Sequence, residues 1–248
     1  MNCIKEKHPS GKIIKFYDYN HTYLVDDFKY PFISTTTLLK RFYNKFDMDK
    51  ISKAYSKKHS LNVEDVKRDW KKEGEKSIIL GNNCHFYSDS LLRHTELPKP
   101  YIKKESVYFK RIREGLKQLF KSGFKYLKSE YMIADLEWQI AGTIDLLLEK
   151  DNIIYIFDWK TNKIINMYNS FERLKHPLSH LEDCNFNQYS LQLNIYKQIL
   201  IRNAYFTEYD VENSCMVLLH ITNDLVVTYT VPDMLEEVKK MIEGEKKA

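Results

Sequence analysis

Residues 140–161 read IAGTIDLLLEKDNIIYIFDWKT, a pattern that is typical of two strands joined by a tight turn. Apolar residues dominate on both sides of Asp151-Asn152, and this pair predicts a two-residue hairpin turn, although less strongly than Asn-Gly would. A hairpin centred there pairs residues whose numbers sum to 303, which places Asp145 opposite Asp158 on the neighbouring strand. Because side chains alternate along a strand, Lys160 is expected on the same face as both carboxylates.

Two carboxylates that face each other repel unless a positive charge lies between them. A bound divalent cation would supply that charge, and hard oxygen ligands suit magnesium or manganese. Such an ion can polarise a phosphoryl oxygen and activate water, while Lys160 could orient the water or neutralise developing charge. The alternative is an ordinary hairpin in which Asp158 and Lys160 form a surface ion pair. The position of Asp158 at the end of an apolar strand leaves both interpretations open.

The two motifs Gly142-x-x-Asp145 and Asp158-Trp159-Lys160-Thr161 resemble motifs II and III of RecB-like nucleases in the PD-(D/E)XK superfamily. Their wording is closest to the mitochondrial genome-maintenance exonucleases and related phage and bacterial exonucleases. Ile144 stands where the superfamily's name expects proline, a substitution that is frequent in this branch. The resemblance implies a restriction-endonuclease-like α/β (α+β) fold, a central mixed sheet flanked by helices. It also implies that the backbone carbonyl of Trp159 is a metal ligand.

Three further elements agree with this resemblance in order and spacing. Gly81-x-x-x-His85 resembles an element whose histidine is a metal ligand, although Asp89 stands where the family usually has glutamate, so its role is open. Glu130, on the strand before Asp145, matches a glutamate that the family often carries near the metal. Gln192-x-x-x-Tyr196 matches a motif that braces the site or the DNA backbone. Each element alone would also fit an ordinary structural residue: a surface histidine, an exposed glutamate and a packed core helix.

Periodicity predicts the remaining elements. Residues 12–33 alternate as short antiparallel strands do, and Ser34 is expected to cap a helix that runs to Tyr43. The other predicted elements are lysine-rich helical sequence to about residue 76, helices over 77–94, 105–121 and 186–203, strands over 124–134, 136–149, 153–159, 211–221 and 225–231, and a terminal helix from Pro232. We expect an N-terminal annex of strands and helices over residues 1–76, packed on a nuclease core over residues 77–248 in one unit.

Composition excludes several classes of protein. The 248 residues are 43% hydrophobic and 29% charged, which favours a globular domain with its own core. No apolar run approaches the roughly 18 residues of a membrane span, and no export or organelle signal precedes the first strand. The four cysteines stand far apart, which argues against structural zinc and an iron–sulfur cluster. We therefore expect a cytoplasmic protein, in the host cytoplasm if a phage encodes it.

Positive charge is concentrated in one part of the chain. The net charge is +5, yet the segment from Lys99 to Lys128 has ten Lys/Arg residues against two glutamates. On the helix predicted over residues 105–121, one stripe of basic side chains lies apart from an apolar face, which suggests contacts with phosphates. The stripe consists of Lys110, Arg113, Lys117 and Lys121, and the apolar face of Phe109, Ile112, Leu116, Leu119 and Phe120. A solvated lysine face is the alternative interpretation.

Together these features favour a DNA exonuclease that uses magnesium or manganese to hydrolyse phosphodiester bonds from free ends, in replication, recombination or repair. The expected partner is DNA, either single-stranded or a duplex with ends, with a recombination or replication protein as a further possible partner. Two alternatives stay open: a structure-specific or restriction-type endonuclease of the same fold, and a catalytically silent nucleic-acid-binding module.

Overall fold

The predicted hairpin forms the centre of a six-stranded mixed sheet. The computed structural model describes residues 3–245. Strand β6 pairs antiparallel with β7 from Leu146↔Phe157 to Lys150↔Ile153, which is the predicted register. Asp151 and Asn152 have φ angles of 54° and 65°, as the two-residue turn requires. The strands are β1 Cys3–Lys7, β2 Ile13–Tyr17, β3 Thr22–Val25, β4 Ile33–Ser34, β5 Lys125–Asp135, β6 Ile140–Lys150, β7 Ile153–Lys160, β8 Asp210–Ile221 and β9 Val226–Thr230.

The rest of the sheet is arranged around this hairpin. Strand β5 pairs antiparallel with β6, β8 lies parallel to β7, and β9 pairs antiparallel with β8. The short β4 adds two parallel residues at the start of β6. The helices are α1 Thr35–Leu39, α2 Met48–His59, α3 Val63–Leu92, α4 Lys103–Lys121, α5 Asn185–Arg202 and α6 Leu235–Glu245. The expected fold class, a mixed central sheet flanked by helices, is confirmed.

Two hydrophobic cores lie on the two sides of the sheet. Leu147, Ile156 and Leu218 belong to the core shared with α1, α5 and α6. Leu148 and Trp159 belong to the core shared with α3 and α4. Burial of near-continuous apolar strands between two helical layers is the main stabilising contribution in such a sheet. Strands β6 and β7 are therefore held on both faces.

A third, smaller core joins the N-terminal strands to this sheet. Strands β1, β2 and β3 form an antiparallel sheet, and Ile14, Tyr23 and Val25 pack with Met132 and Ala141 of β5 and β6. Ser34 caps α1 as predicted, since its Oγ accepts the backbone N–H of Thr37 at 3.1 Å. The helix ends at Leu39 rather than Tyr43, because the next two N–H groups, from residues 41 and 42, bond three residues back in tight turns.

The expected break near residue 76 is wrong, because α3 is one helix of 30 residues. Its start is capped by Asn62, whose side chain accepts the N–H groups of Glu64 and Asp65. Before Leu80 the buried residue of this helix is Val66, whereas several residues from Leu80 onward enter the sheet core. The composition therefore changes along the helix without ending it. At about 1.5 Å per residue, the helix spans about 45 Å and extends beyond the sheet.

Helix α4 agrees with the prediction. Glu105 accepts the backbone N–H of Tyr101 at 2.6 Å at its start, and Gly123, with φ +93°, follows its end.

Among residues 3–245 there is no helix that combines the length and the apolarity needed to cross a bilayer.

Candidate active site

Three side chains that could bind a metal ion meet where α3 crosses the strands. His85 Nδ1 lies 3.3 Å from Asp145 Oδ1 and 3.4 Å from Glu130 Oε1, and the three ligand atoms lie within 4.8 Å of one another. The second oxygen of Asp145, Oδ2, accepts the backbone N–H of Trp159 at 2.8 Å, which fixes that carboxylate. The side chains of His85 and Glu130 are about one third exposed and that of Asp145 is 9% exposed, so the cluster opens to solvent on one side.

Strand register explains why the acids meet. The pairing of β5 with β6 joins Ser129 to Leu146 and Tyr131 to Ile144, so Glu130 lies in register with Asp145. The regular ladder is interrupted there, and Glu130 has φ +44°, a conformation that is uncommon for residues other than glycine. Backbone strain of this kind persists where surrounding contacts enforce it, and it is often found at functional sites.

Asp158 lies next to this cluster and pairs with Lys160. Its Oδ2 is 2.5 Å from Lys160 Nζ, and its side chain is 3% exposed. Burial, opposed by Lys160 and reinforced by Asp145, raises the pKa of Asp158 to about 6. Among the described residues this oxygen has the ion pair but no hydrogen bond of good geometry. A buried carboxylate oxygen without a hydrogen bond can accept a further positive ligand.

The two carboxylates of the cluster favour a proton on His85. Burial disfavours the charged imidazole, but Asp145 and Glu130 outweigh burial and raise the pKa of His85 well above its ordinary value. Burial raises the pKa of Glu130, whereas His85 overcomes the effect of burial at Asp145 and lowers the pKa of that carboxyl. A divalent cation would take the place of that proton, because metal ligands bind as neutral imidazole and ionised carboxylate.

The donor set fits a divalent cation. One imidazole nitrogen and two carboxylates converge, whereas Asp158 is outside this group of three, although the charge of Asp145 contributes to its raised pKa. Carboxylate-rich sites suit magnesium and manganese. The backbone N–H of Trp159 already bonds Asp145, and its carbonyl remains a predicted ligand.

Lys160 is held on its other side by an aromatic ring that the sequence analysis did not single out. Its Nζ lies 4.3 Å from the centre of the Tyr189 ring, and the Tyr189 hydroxyl donates to Asn162 Oδ1 at 2.9 Å. Tyr189 precedes Gln192 by three residues on α5, so the spacing Tyr189-x-x-Gln192 was the available signal. The amine is thus oriented by a carboxylate and a ring face together.

The predicted pair on α5 is formed, and it lies against β6. Gln192 Nε2 donates to the Tyr196 hydroxyl at 2.9 Å, and the Tyr196 ring is buried. A Cβ atom at Gly142 would lie 2.5 Å from Tyr196 Cε1 and 3.1 Å from Thr35 Oγ1. The glycine of the Gly142-x-x-Asp145 motif is therefore required for the close approach of this ring.

Asp89 takes a supporting position instead of joining the cluster. Its Oδ1 accepts hydrogen bonds from Ser129 Oγ at 2.6 Å and from Arg93 Nε at 2.6 Å. Arg93 also donates to the Ser129 carbonyl at 2.5 Å. These bonds fix the residue immediately before Glu130, so α3 contributes His85 to the cluster and supports Glu130 through Asp89.

The predicted basic stripe lies on the exposed side of α4. Lys110, Arg113, Lys117 and Lys121 are all exposed, while Ile112 on the opposite side is fully buried. Arg113 also packs back toward α3, where its Nη2 donates to the Tyr87 hydroxyl at 2.8 Å. Phe120, expected on the apolar face, is 40% exposed. No contact joins the stripe residues to the cluster of His85, Glu130 and Asp145 within the described chain.

Comparison with known families agrees with this geometry. The profile of the PD-(D/E)XK nuclease superfamily matches residues 37–246, which include every side chain of the cluster. The chain belongs to the PD-(D/E)XK nuclease superfamily. This membership establishes the protein as a member of a nuclease superfamily.

Solved structures and curated proteins add little to this assignment. One matching chain is described as a “putative exonuclease” from Eubacterium rectale, with 14% identity over 84% of this chain and 68% of that chain and a TM-score of 0.36. A search of curated proteins finds no match.

Proposed function

We propose that the protein is a divalent-metal-dependent DNA exonuclease that hydrolyses phosphodiester bonds from DNA ends. The observation that best supports a metal-dependent reaction is the convergence of His85, Glu130 and Asp145 beside the Asp158–Lys160 pair. Two acids and a histidine converge on one point where a divalent cation would balance the carboxylate charge, and Lys160 supplies a donor next to it.

Each of these residues has a role in the proposal. His85, Glu130, Asp145, Asp158 and the carbonyl of Trp159 hold magnesium or manganese. The ion, when bound, polarises the scissile phosphate and lowers the pKa of water at the site.

Lys160 is placed to position water and phosphate. Its ammonium has three donors, of which Asp158 takes one, while the ring of Tyr189 confines its direction. The remaining donors can hydrogen-bond the attacking water or a phosphoryl oxygen on which charge develops. Gln192 and Tyr196 brace this side of the site.

The test compares matched variants on labelled linear DNA. Asp158→Ala and Lys160→Ala are each expected to reduce the rate at least about 100-fold, and chelation of divalent ions should stop the wild-type reaction. Lys150→Ala, at the other end of the same hairpin, is the control and should retain activity. Full activity in both site variants, with native circular dichroism, would refute the assignment.

Metal binding has a test that does not depend on turnover. Manganese should raise the unfolding temperature of the wild-type protein, because a ligand that binds only the folded state stabilises it. The His85→Ala variant should lose most of this shift. An equal rise in the unfolding temperature of the wild type and of His85→Ala would show that manganese binds elsewhere.

Covalently closed circles distinguish an exonuclease from an endonuclease. An obligate exonuclease leaves the circles intact while it degrades the same DNA after linearisation. Cleavage of the circles would favour the endonuclease alternative, and salt-dependent DNA binding without turnover in manganese would favour the silent module. The cytoplasmic location and a recombination or replication partner remain predictions.

A further inference from the structure

A cleft of about 390 Å³ opens directly beside the strand end that carries Lys160. It is lined on one side by the middle of α3 and on the other by the start of α4 and the segment after β7. Thr161 and Asn162 form its wall next to the site. Gly81 of α3 faces the same wall, since a Cβ atom there would lie 3.5 Å from Thr161 Oγ1.

The cleft is connected to the candidate catalytic lysine through two residues. Asn162 accepts a hydrogen bond from Tyr189, whose ring lies against the Lys160 ammonium. The carbonyl of Asn162 is bonded to His220 at 2.7 Å, which fixes the first turn of the segment after β7. A substrate strand that leaves the Lys160 ammonium would therefore meet the cleft wall next.

This cleft is positively charged, as the cavities along α4 are, and its distinguishing feature is the wall formed by Thr161 and Asn162 next to Lys160. Lys76, Lys104 and Lys163 line it against one acid, Glu73, so its net charge is +2 (three minus one). Lys76 bonds Glu73 at 2.9 Å, and together with Lys163 and Lys104 it lowers the pKa of that carboxyl. Lys104 and Lys163 are both exposed and thus accessible to a ligand.

We infer that this cleft binds the phosphate backbone of the DNA strand next to the cleavage point. The inference rests on the proposed function, because it takes the Asp158–Lys160 pair as the place where the phosphodiester is cut. Lysine ammonium groups beside hydroxyl and amide donors are a typical arrangement for contacts to phosphate and sugar. The stripe on α4 borders other cavities, and its Arg113 is already bonded to Tyr87.

The experiment compares two double variants that each remove two positive charges. Lys104→Gln with Lys163→Gln alters the cleft, and Lys110→Gln with Lys117→Gln alters the α4 stripe as a matched control. Binding of a fluorescent oligonucleotide is followed by anisotropy in chelator, so that no cleavage occurs, between 50 and 200 mM salt. Circular dichroism confirms that both variants are folded.

The cleft variant should bind about tenfold more weakly at 150 mM salt. Its slope of log K against log salt should be smaller in magnitude by about 1.5, because each lost phosphate contact removes about 0.7–0.9. The stripe variant should remain within about twofold of the wild type. Equal loss in both variants, loss in the stripe variant alone, or no loss in either would overturn the inference.

These outcomes are separate from those of the proposed function. If the wild type binds DNA through the cleft but never cleaves it, the assignment as a nuclease fails and the binding site stands. If the wild type degrades DNA and the cleft variant binds normally, the nuclease assignment stands and the binding site fails.

Discussion

The substitution Gly142→Ala tests the link between the fold and the candidate site most directly. Gly142 is not in a left-handed conformation, so an alanine there suffers no backbone penalty. The added Cβ would nevertheless lie 2.5 Å from Tyr196 Cε1, where ordinary carbon contacts are about 3.5–4.0 Å. The ring would have to retreat by about 1 Å, or β6 would have to move.

The size of the effect follows from how firmly the ring is held. Tyr196 is 3% exposed, and its hydroxyl is bonded to Gln192, so neither rotation nor retreat is free. Overpacking of this kind costs about 1–3 kcal/mol, while alanine gains about 0.5–1 kcal/mol over glycine within a strand. We expect a net loss of about 1–2 kcal/mol in the free energy of unfolding. Because Asp145 is three residues away on the same strand, the cleavage rate should also fall, by about 100-fold if the site moves by 1 Å.

Urea unfolding and initial rates of DNA cleavage measure the two effects. Gly74→Ala in α3 is the matched control, because nothing lies within 4 Å of its added Cβ, and it should stabilise the helix by about 0.5–1 kcal/mol. Tyr196→Leu combined with Gly142→Ala should be more stable than the sum of the two single changes by about 1–3 kcal/mol, because the clash is gone. If Gly142→Ala is as stable and as active as the wild type, the close approach of the ring does not explain this glycine.

Two further predictions concern Asp89, which supports the candidate site, and the buried thiol of Cys84. Asp89→Ala should lower the free energy of unfolding by about 1–3 kcal/mol, because the buried hydroxyl of Ser129 loses a partner, and calorimetry should show about tenfold weaker manganese binding. Asp65→Ala, which breaks an exposed pair on the same helix, should lower it by at most about 0.5 kcal/mol, and equal effects of the two changes would contradict the supporting role of Asp89. Burial raises the pKa of Cys84 to about 12, so iodoacetamide at pH 8 should label Cys84 far more slowly than the partly exposed Cys3. Mass spectrometry of the labelled native protein would show the difference. The free energy of unfolding should also fall as pH rises from about 9 to 12, because only the unfolded thiol loses its proton in that range.

The hairpin was predictable because its signals are local. The Asp151-Asn152 turn, the apolar strands around it and the two-residue alternation specify the register without help from distant segments. The same local rules predicted the Ser34 cap and the Gly123 terminus of α4, both of which the structure confirms.

The contacts that complete the candidate site depend on packing between distant segments. Glu130 has a left-handed backbone conformation, Asp89 bonds Ser129, and the ring of Tyr189 lies against Lys160. Each of these features depends on contacts between residues far apart in sequence. No periodicity encodes such contacts. The continuity of α3 was missed for a related reason, because its solvent-exposed first half and its core-packed second half have different compositions.

The row of acids follows from two strand registers that act together. From Lys128 onward, residues of β5 and β6 pair where their numbers sum to 275, and those of β6 and β7 pair where they sum to 303. Glu130, Asp145 and Asp158 satisfy both sums, so the two registers set three carboxylates side by side across three strands. Their mutual repulsion would separate them in a free sheet. Helix α3 opposes this repulsion by placing His85 beside the acids on one side of the sheet. On the other side, α5 places the Tyr189 ring against Lys160. The candidate site therefore requires both helical layers as well as the sheet.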